Sequence, residues 1–315
     1  MTSYQLRMRV GQMAEHLRHV AARAIAAARA LLPKRWRRGF AVVPVVRLTG
    51  VIGLAAPLRG GLSIGGIAKT LDRAFAVRNA KAVALAINSP GGSAVQSHLI
   101  FRRIRDLAEE KKIPVIAFVE DVAASGGYMI ACAADEIVCD PASIVGSIGV
   151  IGATFGFPEA MKKLGIERRV YTAGESKSML DPFLPEKEED VRRLKAIQQD
   201  VHDMFIGLVR ARRGTRLSAA EKTVFSGEYW VAKTAKDFGL VDQLGDLRSF
   251  LRQRYGEAVA TPLIASERTL FGRRLPGVTG VLPDRMLEEV MDRPGMIDDI
   301  ISAIESRAMW ARFGL

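Results

Sequence analysis

The sequence predicts an α/β fold: a mostly parallel sheet covered by helices, preceded by an N-terminal basic amphipathic helix and followed by a C-terminal helical extension. Three observations carry that expectation. Short β-branched runs alternate with helical patterns from residue 42 onward, the stretches between runs are long enough to be crossovers, and glycine-marked turns follow several of the runs. The composition agrees, because 49% hydrophobic and 25% charged residues over 315 positions is an ordinary globular balance that excludes wholesale disorder and fibrous repeats.

Residues 1–40 form an arm. Leu6, Val10, Met13, Leu17, Val20, Ala24, Ala27 and Leu31 step alternately by four and three along one apolar seam, and Pro33 and Gly39 end the helix. Residues 1–38 hold nine Lys/Arg against one acid, Glu15, a net +8 that leaves +4 for the other 277 residues. A nearly neutral body argues against a nucleic-acid groove. Arg23 and Arg29 interrupt the only apolar stretch, so the arm is neither a signal peptide nor a transmembrane helix. Three readings stay open for it: a seam packing on its own protein or a sister subunit, a helix lying on a membrane surface, or an organellar targeting peptide.

The body spans residues 41–255. Residues 42–48 read as a strand, Ile67–Val77 as a helix, 82–89 as a buried strand, and the segment from the Pro90-Gly91-Gly92 turn to about Glu110 as a helix with Val95, Leu99, Ile100, Ile104 and Leu107 inward. Residues 113–120 are the next strand, Ser125–Ala134 an apolar helix, and 136–140 and Val145–Ile151 further strands. Glu189–Arg213 is a long charged helix, with shorter ones at Leu217–Thr223, Trp230–Phe238 and Asp246–Tyr255. Residues 256–315 read as a linker followed by helices near Asp284–Met291 and Met296–Ala311. Cys132 and Cys139, the only cysteines, are too few for a disulfide framework or a zinc site and read as buried, inert thiols.

Two turns could carry chemistry, since loops at the carboxyl ends of parallel strands are where ligands bind in open α/β sheets. Asn88–Ser93 places a glycine pair before a helix, either an ordinary connection or bare N–H groups facing an oxyanion. Ala123–Tyr128 places Ser125 between a strand and an apolar helix, either as an N-cap or as a nucleophile. His16 and His19 lie on the arm, His98 on a helix and His202 on the long charged helix, so a Ser-His-Asp triad is not indicated. A lysine can serve as base when desolvation leaves its amine neutral. Lys177 lies in a loop of small and apolar residues, whereas Lys162, Lys163 and Lys187 sit among other charges.

In combination, NSPGG, ASGGY, GSIGV and then G-x-x-K-S-M-L-D-P-F about fifty residues beyond the serine resemble signal peptide peptidase A and its relatives, Ser-Lys serine peptidases with a ClpP/crotonase-like fold. The resemblance covers about residues 42–255. It implies Ser125 as nucleophile, Lys177 as general base, Ser147 as the hydroxyl orienting the lysine, and the backbone of Gly91, Gly92 and Gly126 as the oxyanion hole. It also implies a homo-oligomer whose neighbouring subunits complete each site. The expectation is a serine endopeptidase acting on signal-peptide remnants or other small or unfolded peptides through an acyl-enzyme, with no cofactor and no metal. The rivals are a crotonase-like acyl-CoA enzyme using the same glycine turns and a non-catalytic membrane-surface scaffold of the same fold. The expected location is cytoplasmic or peripheral on the inner membrane, with 1–38 as the possible membrane contact and no nucleic-acid partner.

Overall fold

A computed structural model describes residues 40–53, 61–174, 176–265, 269–270, 273–274 and 296–315. The expected arm helix and the helix near Asp284–Met291 lie outside the described residues. The body is the expected mostly parallel sheet between helices. Its first half alternates β1 (Val45–Thr49), α1 (Ile64–Phe75), β2 (Val83–Ser89), α2 (Ala94–Lys111), β3 (Val115–Ala124), α3 (Gly126–Ala131), β4 (Glu136–Cys139) and β5 (Ile144–Gly146). Then come α4 (Pro158–Lys163), α5 (Glu188–Arg213), α6 (Glu221–Val224), β6 (Tyr229–Val231), α7 (Ala232–Asp237), β7 (Gln243–Leu244) and α8 (Leu247–Tyr255). A short pair β8 (Thr269–Leu270) and β9 (Arg273–Arg274) precedes α9 (Met296–Ala311).

The strands run in the order β1-β2-β3-β4-β7, all parallel, as connections through helices require. β3 is ten residues long because it serves two neighbours in turn. Ile116–Val119 pair with β4, and Val122–Ala124 pair with β5, onto which β6 adds antiparallel. The expectation of a strand ending at residue 120 was too short, because the charges of Glu120 and Asp121 lie within the strand. There Arg47 pairs with Glu120 at 2.7 Å, and the Asn88 side-chain amide donates to Asp121.

Local signals set the helix ends. Ser63 Oγ accepts from Gly66 N–H at 3.3 Å, Ser93 Oγ from Gln96 N–H at 3.3 Å, and Asp246 caps α8 through Arg248 and Ser249 N–H at 2.9 Å. α5 begins with Glu188, Glu189 and Asp190 and ends with Arg210, Arg212 and Arg213, matching the helix dipole. Val95 and Leu99, expected to face inward, are 66% and 43% exposed; Ser97, Phe101 and Ala108 share the buried face with Ile100, Ile104 and Leu107 instead. The Trp230–Phe238 helix is in fact β6 followed by α7, because Tyr229–Val231 pair with β5.

One face of the sheet (Leu48, Leu85, Ile87, Ala117, Val119, Ile137) packs with α1, α2, α3 and α5 into the main core. The reverse face (Val45, Ala84, Ala86, Ile116, Phe118, Val138) packs under Phe250 and Leu251 of α8. Between Tyr255 and Ala265 the chain stays on the body: Ala260 and Leu263 add bridges to Val42 and Val45 beside β1. Arg213 is buried and donates to Asp242 at 2.8 and 2.9 Å and to Gly239 C=O, tying the end of α5 to the strand-side loop. Cys132 and Cys139 are free and buried, and burial pushes the Cys132 thiol up to about 12 and the Cys139 thiol higher, which leaves both inert. Among the described residues, no helix is long and apolar enough to cross a membrane.

Candidate active site

β3 delivers Ser125 at the turn into α3, with φ 53° and ψ −121°. A serine at positive φ is strained, and such backbone persists only where its surroundings fix it. Here Ser125 N–H donates to Gly146 C=O at 2.8 Å, and its own C=O accepts from Met129 N–H at 3.0 Å. Its hydroxyl makes no capping bond, so the plain N-cap alternative does not describe it. Ser125 is partly exposed, whereas α3 behind it is wholly buried.

The Asn88–Ser93 turn lies directly against this serine. A Cβ on Gly91 (φ +104°) would stand 2.8 Å from Ser125 Cβ, 2.9 Å from Ala124 O and 3.1 Å from Gly126 N, so only glycine fits between the two turns. Gly92 (φ +138°) is pressed against the Ile52 backbone, which accepts from Ser93 N–H at 2.8 Å. A side chain on Gly126 would run into the Ser97 hydroxyl, which donates to Ser93 C=O at 2.7 Å. Among the described residues, the N–H groups of Gly92 and Gly126 have no hydrogen-bond partner, whereas Gly91 N–H donates to Ser89 Oγ at 3.3 Å. Two free amide donors thus flank a serine hydroxyl that has no partner. That arrangement can hold an oxyanion while the hydroxyl attacks a carbonyl.

Ser147 follows β5, also at positive φ (52°), with its N–H donating to Glu228 C=O at 2.6 Å. It is 7% exposed, and among the described residues its hydroxyl has no hydrogen-bond partner. β5 therefore joins the two serines: Gly146 C=O receives Ser125 N–H, and Ser147 is the next residue. Lys177 is placed differently. It lies in the turn beyond Gly174, exposed, and among the described residues its amine makes no hydrogen bond or ion pair. The structure thus leaves Lys177 open to solvent, where the sequence led to the expectation of an apolar loop around it. Most of the described residues from Val150 to Lys187 are exposed, with Phe155 at 80% and Tyr171 at 90% and Leu164 and Ile166 beside them, while Leu180 N–H donates to Asp190 and Ser176 accepts from Arg193 of α5.

Two further side chains hold the site. Asn88 Oδ1 accepts from Val122 N–H at 3.3 Å where the β2–β3 register shifts, tying the glycine turn to the strand of Ser125. His202 on α5 sets its ring nitrogen 3.0 Å from Ile148 C=O, next to Ser147. Asn88 stands in the NSPGG motif and was legible as part of it. His202 stands on the long charged helix in sequence, and only the packing of α5 brings it to this turn.

A family model described as peptidase family S49 matches residues 108–258. A putative protease of Synechocystis is 30% identical over 228 residues, covering 70% of this chain and 78% of that protein. The chloroplastic serine protease SPPA of Arabidopsis thaliana is 33% identical over 226 residues, covering 68% of this chain and 32% of the relative. A Brucella abortus protein named Na(+)/H(+) antiporter NhaA is 52% identical over 286 residues, 90% of this chain, yet the chain spans only 38% of its length.

Proposed function

Because the chain belongs to peptidase family S49, with a ClpP/crotonase-like fold, we propose that it is a serine endopeptidase acting on small or unfolded peptides, signal-peptide remnants among them, through an acyl-enzyme. The observation that carries this reading is Ser125 at a strained strand-to-helix turn, its hydroxyl unpaired, beside the free N–H groups of Gly92 and Gly126. Ser125 Oγ attacks the peptide carbonyl and the oxygen's developing charge falls to the two amides, with Gly91 keeping their turn against the serine. Lys177 takes the serine proton and passes it to the leaving amine, and a water activated by the same amine then releases the acyl group. Ser147 orients the amine. This chemistry uses no cofactor.

A protonated or fully solvated amine cannot serve as that base, so the reading needs Lys177 to be covered. The exposed apolar residues of 150–184 support a homo-oligomer in which a neighbouring copy closes over this segment and completes the site. The +8 arm supports a peripheral contact with anionic lipid on the cytoplasmic side of a membrane. The chain covers only 38% of the Brucella relative that is named an antiporter, and residues 108–258 of this chain match the peptidase family model, so the peptidase reading is the one supported.

The test is turnover of unfolded casein and of a small ester. Wild type should cleave both, and Ser125→Ala should lose at least about 10³-fold in kcat while staying folded. Turnover in Ser125→Ala within tenfold of wild type overturns the reading, and acyl-CoA turnover surviving in that variant would favour the crotonase-like alternative.

A further inference from the structure

Among its described side chains, α9 reaches the body at its C-terminal end. Residues 303–305, 307 and 308 are exposed, Trp310 is half-buried, and Phe313, just past the helix, is buried. Phe313 and Trp310 pack on Val122 and Ala124 of β3 and on Ile144 of β5. Tyr229 of β6 meets the Phe313 ring edge-on, with centroids 5.0 Å apart and planes at 65°, and its hydroxyl donates to Arg312 C=O at 3.0 Å. Side chains alternate along β3, so Val122 and Ala124 face the reverse side and Ser125 is the next residue after the last one gripped.

The three strands touched here are the ones that position the two serines. Ser125 N–H donates to Gly146 C=O across β3–β5, and Ser147 N–H donates to Glu228 C=O across β5–β6. β5 and β6 are three residues each, and Ser125 and Ser147 both hold positive φ. Strands so short have little stability of their own, and strained backbone relaxes unless neighbours fix it. We propose that Phe313, with Trp310 and Tyr229, is a positioning clasp: it holds β5 and β6 against β3 from behind and thereby fixes the backbone that aims Ser125 and Ser147. Its catalytic consequence rests on the serine-peptidase reading; its backbone consequence does not.

The test compares full-length wild type, Phe313→Ala, Phe313→Leu and Tyr229→Phe in two ways. Deuterium uptake is followed in segments 122–128 and 143–149, with 83–89 in β2 as control, and kcat and KM are measured on a small ester. Phe313→Ala should exchange about tenfold faster in the first two segments and not in the third. Its kcat should fall about tenfold with KM within about twofold, and Phe313→Leu should recover most of both losses. Unchanged exchange at 122–128 and 143–149, or an equal rise at 83–89, overturns the clasp. So does a kcat that Phe313→Ala leaves intact in an enzyme that wild type shows to be active. If wild type turns over nothing, the peptidase reading fails, and the exchange pattern still decides whether the clasp exists.

Discussion

Replacing Gly91 by alanine tests the geometry of the site at its tightest point. The new Cβ would meet Ser125 Cβ at 2.8 Å and Ala124 O at 2.9 Å, where ordinary contact is near 3.5–4 Å. Holding alanine at φ +104° adds about 1–3 kcal/mol of backbone strain, and the overlap about 1–3 kcal/mol more. The turn can escape most of this by moving roughly 1 Å away from Ser125, and a shift of that size costs on the order of 10²-fold in rate. Gly91→Ala should therefore lose about 10²-fold in kcat on a small ester while its unfolding midpoint falls by only a few degrees. The control is Gly65→Ala in α1, where a Cβ meets nothing within 4 Å and φ is helical. Stopped-flow ester hydrolysis and thermal unfolding of both variants decide the matter. Gly91→Ala with kcat within threefold of wild type would refute the idea that the glycine turn is braced against the serine.

Gly65→Ala itself should leave activity unchanged and raise stability by about 0.5–1 kcal/mol, read by urea unfolding. Asp242→Asn should cost about 3 kcal/mol at pH 7, because it leaves the buried Arg213 guanidinium without its carboxylate. Burial alone would raise the Asp242 and Asp135 carboxyls, but Arg213 beside the first, and Val115 N–H with Arg105 and Arg212 around the second, hold both below the usual carboxylate value. Their stabilisation is thus present above the unfolded value near 3.9 and lost as pH falls through the folded values; urea midpoints should hold from about pH 7 to 5 and drop below about pH 4. The deficit of Asp242→Asn should shrink over that same acid range. Lys177→Arg keeps a charge that cannot be lost near neutrality, so it should be as inactive as Lys177→Ala in the ester assay, and full activity would place the base elsewhere.

Much of the body was legible because β2, β3 and β4 are β-branched or alanine-rich runs bounded by turn residues, and the serine and glycine turns stand at their ends. The exceptions share a cause: tertiary pairing decided them. Three residues of β6 carry no periodicity of their own, and pairing with β5 makes them a strand. Val95 and Leu99 fit the apolar spacing of a helix, yet α2 buries Ser97 and Phe101 instead, with Ser97 lying against Gly126. The positive φ of Ser125 and Ser147 leaves no trace in composition, since serine is an ordinary turn residue. Ala260 and Leu263 read as linker because a few bridging residues beside β1 make no pattern. Lys177 stands out by its loop and by family resemblance, but neither signal carries its exposure, which is set by how the 150–187 segment lies on α5.

The account stands on Ser125 being a nucleophile, and the most direct measurement is the site of covalent modification by a fluorophosphonate. Full-length protein is treated near neutral pH, and intact mass and peptide mapping locate the adduct. One phosphonyl group per chain on Ser125, absent in Ser125→Ala and strongly slowed in Lys177→Ala and Gly91→Ala, is the predicted result. An adduct on another serine, or peptide turnover by a protein whose Ser125 never reacts, would contradict it.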